Sequence, residues 1–286
     1  MGYGTNGMTT VTGAKFLPEK WAKDAEIARE QNLVMASKVK RYDTDVADSG
    51  SKVHIPFVSN LVTTAVADNT AVTFQAPTET EVVLNLNRQY ESSFNIGDKL
   101  SAQTAYDLGK LYSEKIGYAL AEKIETDLTS LYSVMSQSTG DGTAEITEAN
   151  IARALLYLDN AKVPQTDRHF VVRPSVMYSL RQIADFTEYQ MTGKDGVQAG
   201  GSNGMVMNAY GLDITMTTTI VSTSNHAQNL LFHRNAFALA IQKDVSVEQQ
   251  RRADFLATGY VASALWGYTE LRDDHGVVLI TKDNIA

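Results

Sequence analysis

Residues 98–135, DKLSAQTAYDLGKLYSEKIGYALAEKIETDLTSLYSVM, form the stretch around which the rest of the chain is arranged. Apolar side chains recur there at every third or fourth position, which places them on one stripe of a helix with 3.6 residues per turn. The members of this stripe are Tyr112, Ile116, Leu120, Ile124, Leu128, Leu131 and Met135. Asp98 or Ser101 can accept hydrogen bonds from the first free amides, and the polar run 137–142 ends the pattern. The sequence therefore predicts one long helix.

This predicted helix is too long for a spherical domain. At about 1.5 Å per residue it would extend roughly 55 Å, whereas a compact globule of this chain length is only about 50 Å across. Either two lobes share the helix or the molecule is an elongated plate. Gly109 and Gly117 lie inside the helix and each costs about 1 kcal/mol relative to alanine. The helix either tolerates them or another segment passes close by.

Before the helix, residues 52–96 have a period of two, which is typical of strands. The alternating apolar residues are Val53, Ile55 and Phe57, then Val82, Leu84 and Leu86, and finally Phe94 and Ile96. The first two runs form a hairpin with a polar tip at 63–73. Because an isolated hairpin is marginal in water, a projecting arm with one apolar face would gain most by lying on a neighbouring subunit.

After the helix, the pattern predicts a compact α/β lobe. Thr147 is placed to cap a helix over 148–161. Pro174 is placed to start another. The predicted strands are 169–172, 212–216, 230–232, 237–241, 260–266, 268–271 and 277–281. Residues 191–204 are glycine-rich and without period, and residues 245–252 are polar and charged.

The N-terminal residues form an arm rather than a domain. Residues 1–14 are rich in Gly, Thr and Asn and have little to bury. Pro18 is well placed in the first turn of a helix that carries Trp21 and continues toward Val39. No secretory leader is expected at this end.

Composition excludes several function classes. The 286 residues include 25 basic and 33 acidic ones, and the net charge of −8 argues against tight wrapping of nucleic acid by charge alone. The short basic cluster Lys38, Lys40 and Arg41 precedes an acidic run and is interpreted as a solvated face. No cysteine is present, which excludes disulfides and thiolate metal sites. No apolar run is long enough to span a bilayer, so no membrane partner is expected.

One catalytic pattern occurs. Residues 200–204 match G-x-S-x-G around Ser202, and Asp213 and His226 follow in the order of a hydrolase triad. A nucleophile elbow needs a strand before it and a helix after it, whereas here a glycine-rich loop precedes and a short apolar patch follows. The pattern predicts a flexible loop, and a serine hydrolase using Ser202 is kept as an alternative.

Other sites are not indicated, so we expect no catalytic, cofactor-binding or metal residues. The histidines His54, His169, His226, His233 and His275 have no metal-ligand spacing. Asp43 and Asp45 lack the further ligands of a calcium loop. Gly193-Lys194 lacks the following Ser or Thr of a phosphate loop.

In order and spacing, the chain resembles tailed-bacteriophage major capsid proteins of the Hong Kong 97-like fold. The matching stretches are 16–39 (FLPEKWAKDAEIAREQNLVMASKV), 50–56 (GSKVHIP), 84–106 (LNLNRQYESSFNIGDKLSAQTAY) with GYALAEKIETDL after it, 171–175 (VVRPS), Gly211-Leu212, 231–242 (LFHRNAFALAIQ), Gly267-Tyr268 and Leu271-Arg272. The resemblance implies an α+β fold with an N-arm, an extended hairpin called the E-loop, a spine helix, a P-domain and an α/β A-domain. The implied divisions are 1–48 for the N-arm, 49–97 for the E-loop, 98–141 for the spine helix, 142–243 for the A-domain and 244–286 for the remaining P-domain. No further domain is expected in the lobe.

The resemblance implies a structural protein and not an enzyme. Hexamers and pentamers would tile an icosahedral virion shell around double-stranded DNA held without sequence specificity, with each hairpin over a neighbour's spine helix. Assembly in the host cytoplasm is implied, with separate scaffolding and portal proteins and a possible decoration protein. In the charged loop 248–254, Arg251 or Arg252 could fork onto a carboxylate of the next chain, or the loop is simply solvated. An encapsulin-type compartment shares the fold and stays an alternative.

Overall fold

The structure, a computed structural model, describes residues 33–47, 50–104, 106–183 and 208–283. The helices are α1 (Met35–Lys38), α2 (Asp43–Val46), α3 (Asp98–Gln103), α4 (Leu108–Thr129), α5 (Glu148–Asn160) and α6 (Pro174–Leu180). The strands are β1 (Lys40–Arg41), β2 (Lys52–Val58), β3 (Glu79–Asn85), β4 (Arg88–Gly97), β5 (Ser138–Thr139), β6 (Arg168–Val172), β7 (Asn208–Ala209), β8 (Leu212–Met216), β9 (Ser222–Thr223), β10 (His226–His233), β11 (Phe237–Arg252), β12 (Ala257–Glu270) and β13 (Gly276–Lys282). Short 3-10 turns lie at Ser130–Val134, Arg234–Ala236, Ala253–Phe255 and Asp273–His275.

The prediction of one helix over 98–135 is wrong, because the helix breaks before α4. Thr104 is extended (ψ 145°), and the Asp107 side chain caps α4 by accepting from the Lys110 amide at 3.2 Å. Such side chains offer the backbone an alternative to a continuous helix. Gly109 then passes close to another segment, since a Cβ there would lie 2.6 Å from the Tyr260 hydroxyl oxygen. The remaining helix of 22 residues is about 33 Å long.

The apolar stripe of α4, continued through the 3-10 turn that follows it, joins the two main sheets. Most of its predicted members are buried: Ile116, Leu120, Ile124, Leu128, Leu131 and Met135. Tyr112 is 52% exposed and is the exception. The stripe shares one core with Phe232 of β10 and Trp266 of β12. Two lobes therefore share this helix. A Cβ on Gly117 would lie 3.9 Å from Val245 Cγ1, which is an ordinary van der Waals distance, so no close approach requires glycine at this position.

One sheet has the strand order β1-β11-β12-β4. Pairing of β11 with β12 continues from Phe237 opposite Glu270 to Arg252 opposite Ala257. Residues 245–252, predicted as a charged segment outside the strands, therefore belong to β11. Their main-chain groups pair with those of β12. The polarity of the segment alone does not reveal this pairing. The separate strands predicted at 260–266 and 268–271 form one strand.

The second sheet has the order β5-β13-β10-β6-β8-β7, with β9 on β10. It confirms the predicted α/β lobe, including the strands at 169–172 and 212–216. Thr147 caps α5 by accepting from the Asn150 amide, and Pro174 opens α6. The helices and the sheet share a core that includes Leu158, Phe170 and Leu180. The Arg234–Ala236 and Asp273–His275 turns connect this lobe to the first sheet.

The predicted hairpin is confirmed: β2 and β3 pair antiparallel from Lys52 opposite Asn85 to Val58 opposite Glu79. Its base is buried through Ile55 and Leu84. Where β3 crosses β12, a Cβ on Gly267 would lie 2.2 Å from the Asn85 carbonyl oxygen. The hairpin therefore leaves the body at a point that only glycine fits.

Two predicted features lie wholly or partly outside the described residues. The helix expected from Pro18 is described only at its predicted end, where α1 lies. The glycine-rich run 191–204 falls in the gap between 183 and 208.

Candidate functional site

The hairpin continues past its paired strands into an exposed segment, residues 59–78. Large apolar side chains along it and at its root are exposed to solvent: Val58 by 79%, Leu61 by 68%, Val62 by 72%, Val66 by 53%, Val72 by 64% and Phe74 by 93%. Contiguous exposed apolar surface on a soluble protein marks an interaction site. We call residues 58–78 the hairpin tip. This surface is the candidate functional site.

The hairpin is also acidic. Neither Lys nor Arg occurs in the sequence between Lys52 and Arg88, whereas Asp68, Glu79 and Glu81 lie there. At the base, His54 Nδ1 lies 3.1 Å from Glu81 Oε2. A surface that receives the whole hairpin should therefore combine apolar and basic groups.

A second exposed apolar surface lies at the turn between β11 and β12. Leu100, Phe255 and Leu256 are exposed by 54%, 64% and 67%. The Arg252 guanidinium carbon lies 4.4 Å from the Phe255 ring centroid. Leu256 has a left-handed backbone (φ 46°), which costs energy for a residue other than glycine. This turn and α3 lie side by side, since the Asp98 amide donates to the Leu256 carbonyl.

Arg251, predicted as a possible contact to the next chain, instead forks onto a carboxylate of its own chain. Its two terminal nitrogens lie 2.6 and 2.7 Å from the two oxygens of Asp98. These hydrogen bonds hold the pKa of Asp98 below its usual value. Arg252 lies 3.6 Å from Asp254. The fork joins the start of α3 to the end of β11.

The hydrolase alternative fails on geometry. Ser202 lies outside the described residues, but Asp213 and His226 are both described. Asp213 in β8 and Phe232 in β10 are both register partners of His169. His226 lies six positions before Phe232, about 20 Å along the strand. An aspartate and a histidine so far apart cannot share the hydrogen bond that orients a triad.

The other candidate residues are engaged in structural contacts. Asp43 accepts from Arg41 Nε at 2.7 Å and from the Ile241 amide at 2.8 Å. Asp213 binds Lys38 and lies 3.1 Å from His169 Nδ1. Within the described ranges, no group of three or more His, Asp or Glu side chains could hold a metal ion. None of the described helices is long and apolar enough to cross a membrane. Gly193-Lys194 lies in the 184–207 gap.

Sequence reasoning missed the residue that anchors the N-terminal segment. Glu125 is 1% exposed, and its carboxylate accepts from the amides of Val34 and Met35 at 2.8–3.0 Å. Burial raises the pKa of Glu125 despite these bonds. The available signal was an acidic residue next to Ile124 on the buried stripe, a position that an acid occupies only when it has partners.

Comparisons with known proteins agree with this architecture. A family model described as phage capsid protein matches residues 102–279. The chain belongs to the phage capsid protein family. A solved structure from Mycobacterium phage Che8 is similar, with 26% identity, a TM-score of 0.79, and 92% of this chain and 97% of that chain covered. No curated protein matches the chain by sequence.

Two further structures show the same fold at lower identity. The capsid structure of the cyanophage P-SCSP1u has 21% identity and a TM-score of 0.77, with 99% of this chain and 98% of that chain covered. The capsid of Ralstonia phage GP4 has 13% identity and a TM-score of 0.71, with 94% and 96% covered. The predictions of a mixed α+β capsid fold, a major capsid protein and a place in the virion capsid are confirmed. The family is one of structural capsid proteins.

Proposed function

We propose that this capsid protein assembles through its hairpin, as hexamers and pentamers that tile an icosahedral shell around double-stranded DNA. The observation that carries the proposal is the apolar surface of the hairpin tip, with Phe74 93% exposed. Fully burying one such side chain contributes about 1.5–3 kcal/mol, and part of this is offset by ordering on association. Many such contacts, each made once per subunit, then add through multivalency.

The surface best suited to receive the tip is the outer side of α3 and α4 on a neighbouring copy. Leu100 and Tyr112 are exposed there by 54% and 52%. Lys99 precedes Leu100 in the sequence, Lys110 lies two residues before Tyr112, and both lysines are exposed. This mixture of apolar and basic groups complements the acidic, apolar hairpin. Placing the hairpin on a neighbour also matches the spine-helix contact that the sequence resemblance implies.

Several finer statements belong to the same proposal. The division into N-arm (1–48), E-loop (49–97), a spine-helix segment (98–141) that contains α3 and α4, A-domain (142–243) and remaining P-domain (244–286) follows the implied boundaries. With a net charge of −8, the shell would confine DNA that counterions screen, without reading its sequence. Separate scaffolding and portal proteins would act during assembly in the host cytoplasm, and a decoration protein could bind outside.

The test is particle size, measured by light scattering and negative-stain microscopy on the purified chain across protein and salt concentrations. We expect capsomers or closed shells far larger than the 31.3 kDa monomer. Phe74→Glu, which puts a charge on the apolar surface, should stay small, whereas Phe74→Leu, which keeps an apolar side chain, should assemble. A wild-type chain that stays monomeric throughout would contradict the proposal. Shells filled with a protein cargo instead of DNA would point to an encapsulin-type compartment, which the phage capsid matches do not favour.

A further inference from the structure

The hairpin tip is held together beyond the last pair of its strands by one side chain. Regular pairing ends where Val58 faces Glu79. Further out, Gln75 Oε1 accepts from the Val62 amide at 3.0 Å, and Gln75 Nε2 donates to the Val62 carbonyl. Both hydrogen-bonding groups of one main-chain residue are therefore bound by a single side-chain amide.

This arrangement reproduces a strand pair. A primary amide has a carbonyl acceptor and an N–H donor, the two groups that a neighbouring strand offers to a hydrogen-bonded residue. Gln75 thus replaces the main-chain partner that Val62 lacks. Nearer the base, Ser59 Oγ accepts from the Thr78 amide at 3.2 Å. The two arms stay joined although no ladder connects them.

The far end of the tip is closed by a turn. Asn69 has a left-handed backbone (φ 61°), and the Thr70 amide donates to the Ala67 carbonyl at 3.2 Å. Asn tolerates this conformation better than most residues. With the turn at one end and the bridges at the other, the tip is a narrow ribbon rather than an open loop.

The Gln75 bridge lies among the exposed apolar side chains. Gln75 follows Phe74 directly, and Val62 follows Leu61. Holding Gln75 against Val62 therefore fixes where Phe74 and Leu61 are presented. We infer that Gln75 is a positioning residue that preorganises the hairpin tip for docking on a second copy of the chain. This inference rests on the proposed function.

Preorganisation affects affinity through entropy. A loop of this length that was free in the dissociated subunit would lose its conformational freedom on docking, and that loss would weaken every contact. Losing the bridge should therefore reduce the association constant of each contact by about tenfold, equivalent to about 1.4 kcal/mol. Folding of the body should not change, because the bridge contacts only the exposed tip.

The test compares Gln75→Met with Gln89→Met in the full chain. Methionine has the length and apolar character to keep or improve contact area, but it cannot bridge Val62. Gln89 is an exposed amide on β4, outside the hairpin tip, and the structure shows no hydrogen bond from its side chain to any described residue, so the same Gln→Met change there controls for the substitution itself. The measurements are the thermal melting temperature, hydrogen exchange of the Val62 amide in dissociated subunits, and the subunit concentration needed for assembly.

We expect Gln75→Met to melt like the wild type, to exchange the Val62 amide at least tenfold faster, and to need about tenfold more protein to assemble, while Gln89→Met matches the wild type. Equal or better assembly of Gln75→Met would overturn the inference, as would an unchanged exchange rate at Val62. Failure of the wild-type chain to assemble would instead contradict the proposed function, so the two failures are distinguishable.

Discussion

The carboxylate of Glu125, in the buried face of α4, binds the main-chain amide of Met35, which lies 90 positions earlier in the chain, at 3.0 and 2.8 Å. The same segment continues into β1, which pairs with β11, and Lys38 binds Asp213 in the lobe. Residues 33–47 thus tie the helix and both sheets together.

Glu125→Ala should destabilise the dissociated subunit by about 2–4 kcal/mol, because the amides of Val34 and Met35 lose their acceptor in a buried setting. Glu125→Gln keeps one acceptor oxygen and should cost less. Urea unfolding checks both. Glu114→Ala, an exposed change on the same helix, should stay within about 0.5 kcal/mol, and an equally small loss at Glu125 would contradict the anchoring role.

Gly267→Ala should cost about 1–3 kcal/mol, the usual range for overpacking. The added Cβ would collide with the Asn85 carbonyl, 2.2 Å away, and β3 can relieve this only by moving. The matched control is Gly97→Ala, because a Cβ at Gly97 meets no atom within 4 Å. Thermal melting of the two variants gives the comparison. Similar melting temperatures would show that β3 does not cross β12 as closely as described.

The contribution of Glu270 to stability should fall as the pH rises from about 4.5 to about 7. Burial, the charge of Asp273 and a hydrogen bond with Asp273 raise the pKa of Glu270 to about 7 from its ordinary 4.5. In that window the unfolded chain ionises this group while the folded chain keeps the proton, so unfolding is favoured. Since solvent screens part of the interaction, we expect a loss of about 1–2 kcal/mol.

Glu270→Gln should remove this component. The observable is the difference in unfolding free energy between wild type and variant, followed from pH 4.5 to pH 8, which cancels the other titrating groups. Glu91→Gln, an exposed change on β4, serves as the control. A difference that stays flat with pH would contradict the raised pKa of Glu270.

Ser202→Ala should leave assembly and stability unchanged, and the wild-type chain should not react with a serine-directed fluorophosphonate probe. The reason is the separation of about 20 Å between Asp213 and His226 along the sheet. Labelling that disappears in the variant would revive the hydrolase alternative.

Sequence periodicity correctly predicted the helix and strands whose apolar residues recur at a regular spacing. The period of 3.6 located the buried stripe of α4, and the period of two located β2 and β3. The break before α4 has a local signal that was missed, because the Asp107 side chain caps α4 by accepting from the Lys110 amide. The strand over residues 245–252 escaped prediction because its cause is the pairing with β12. Such partners are distant in sequence and appear only in the fold.

The candidate site was predicted in outline only. The alternating apolar residues of the two strands, in a hairpin expected to project from the body, indicated that the hairpin needs a neighbour. Nothing in that pattern singled out Gln75. Its role depends on which main-chain groups the strand pairing leaves free at Val62. For Arg251, the sequence suggested a bidentate contact between its guanidinium and a carboxylate of another subunit. In the structure the guanidinium binds the carboxylate of Asp98 in its own chain.

The central claim, that another copy covers the hairpin tip, is tested most directly by thiol labelling. The chain contains no cysteine, so Ala71→Cys introduces a single thiol at an exposed position beside Val72 without removing any large apolar side chain. We expect fast labelling in dissociated subunits and labelling slowed by at least tenfold in assembled particles. Equal labelling rates in the two states would contradict the claim.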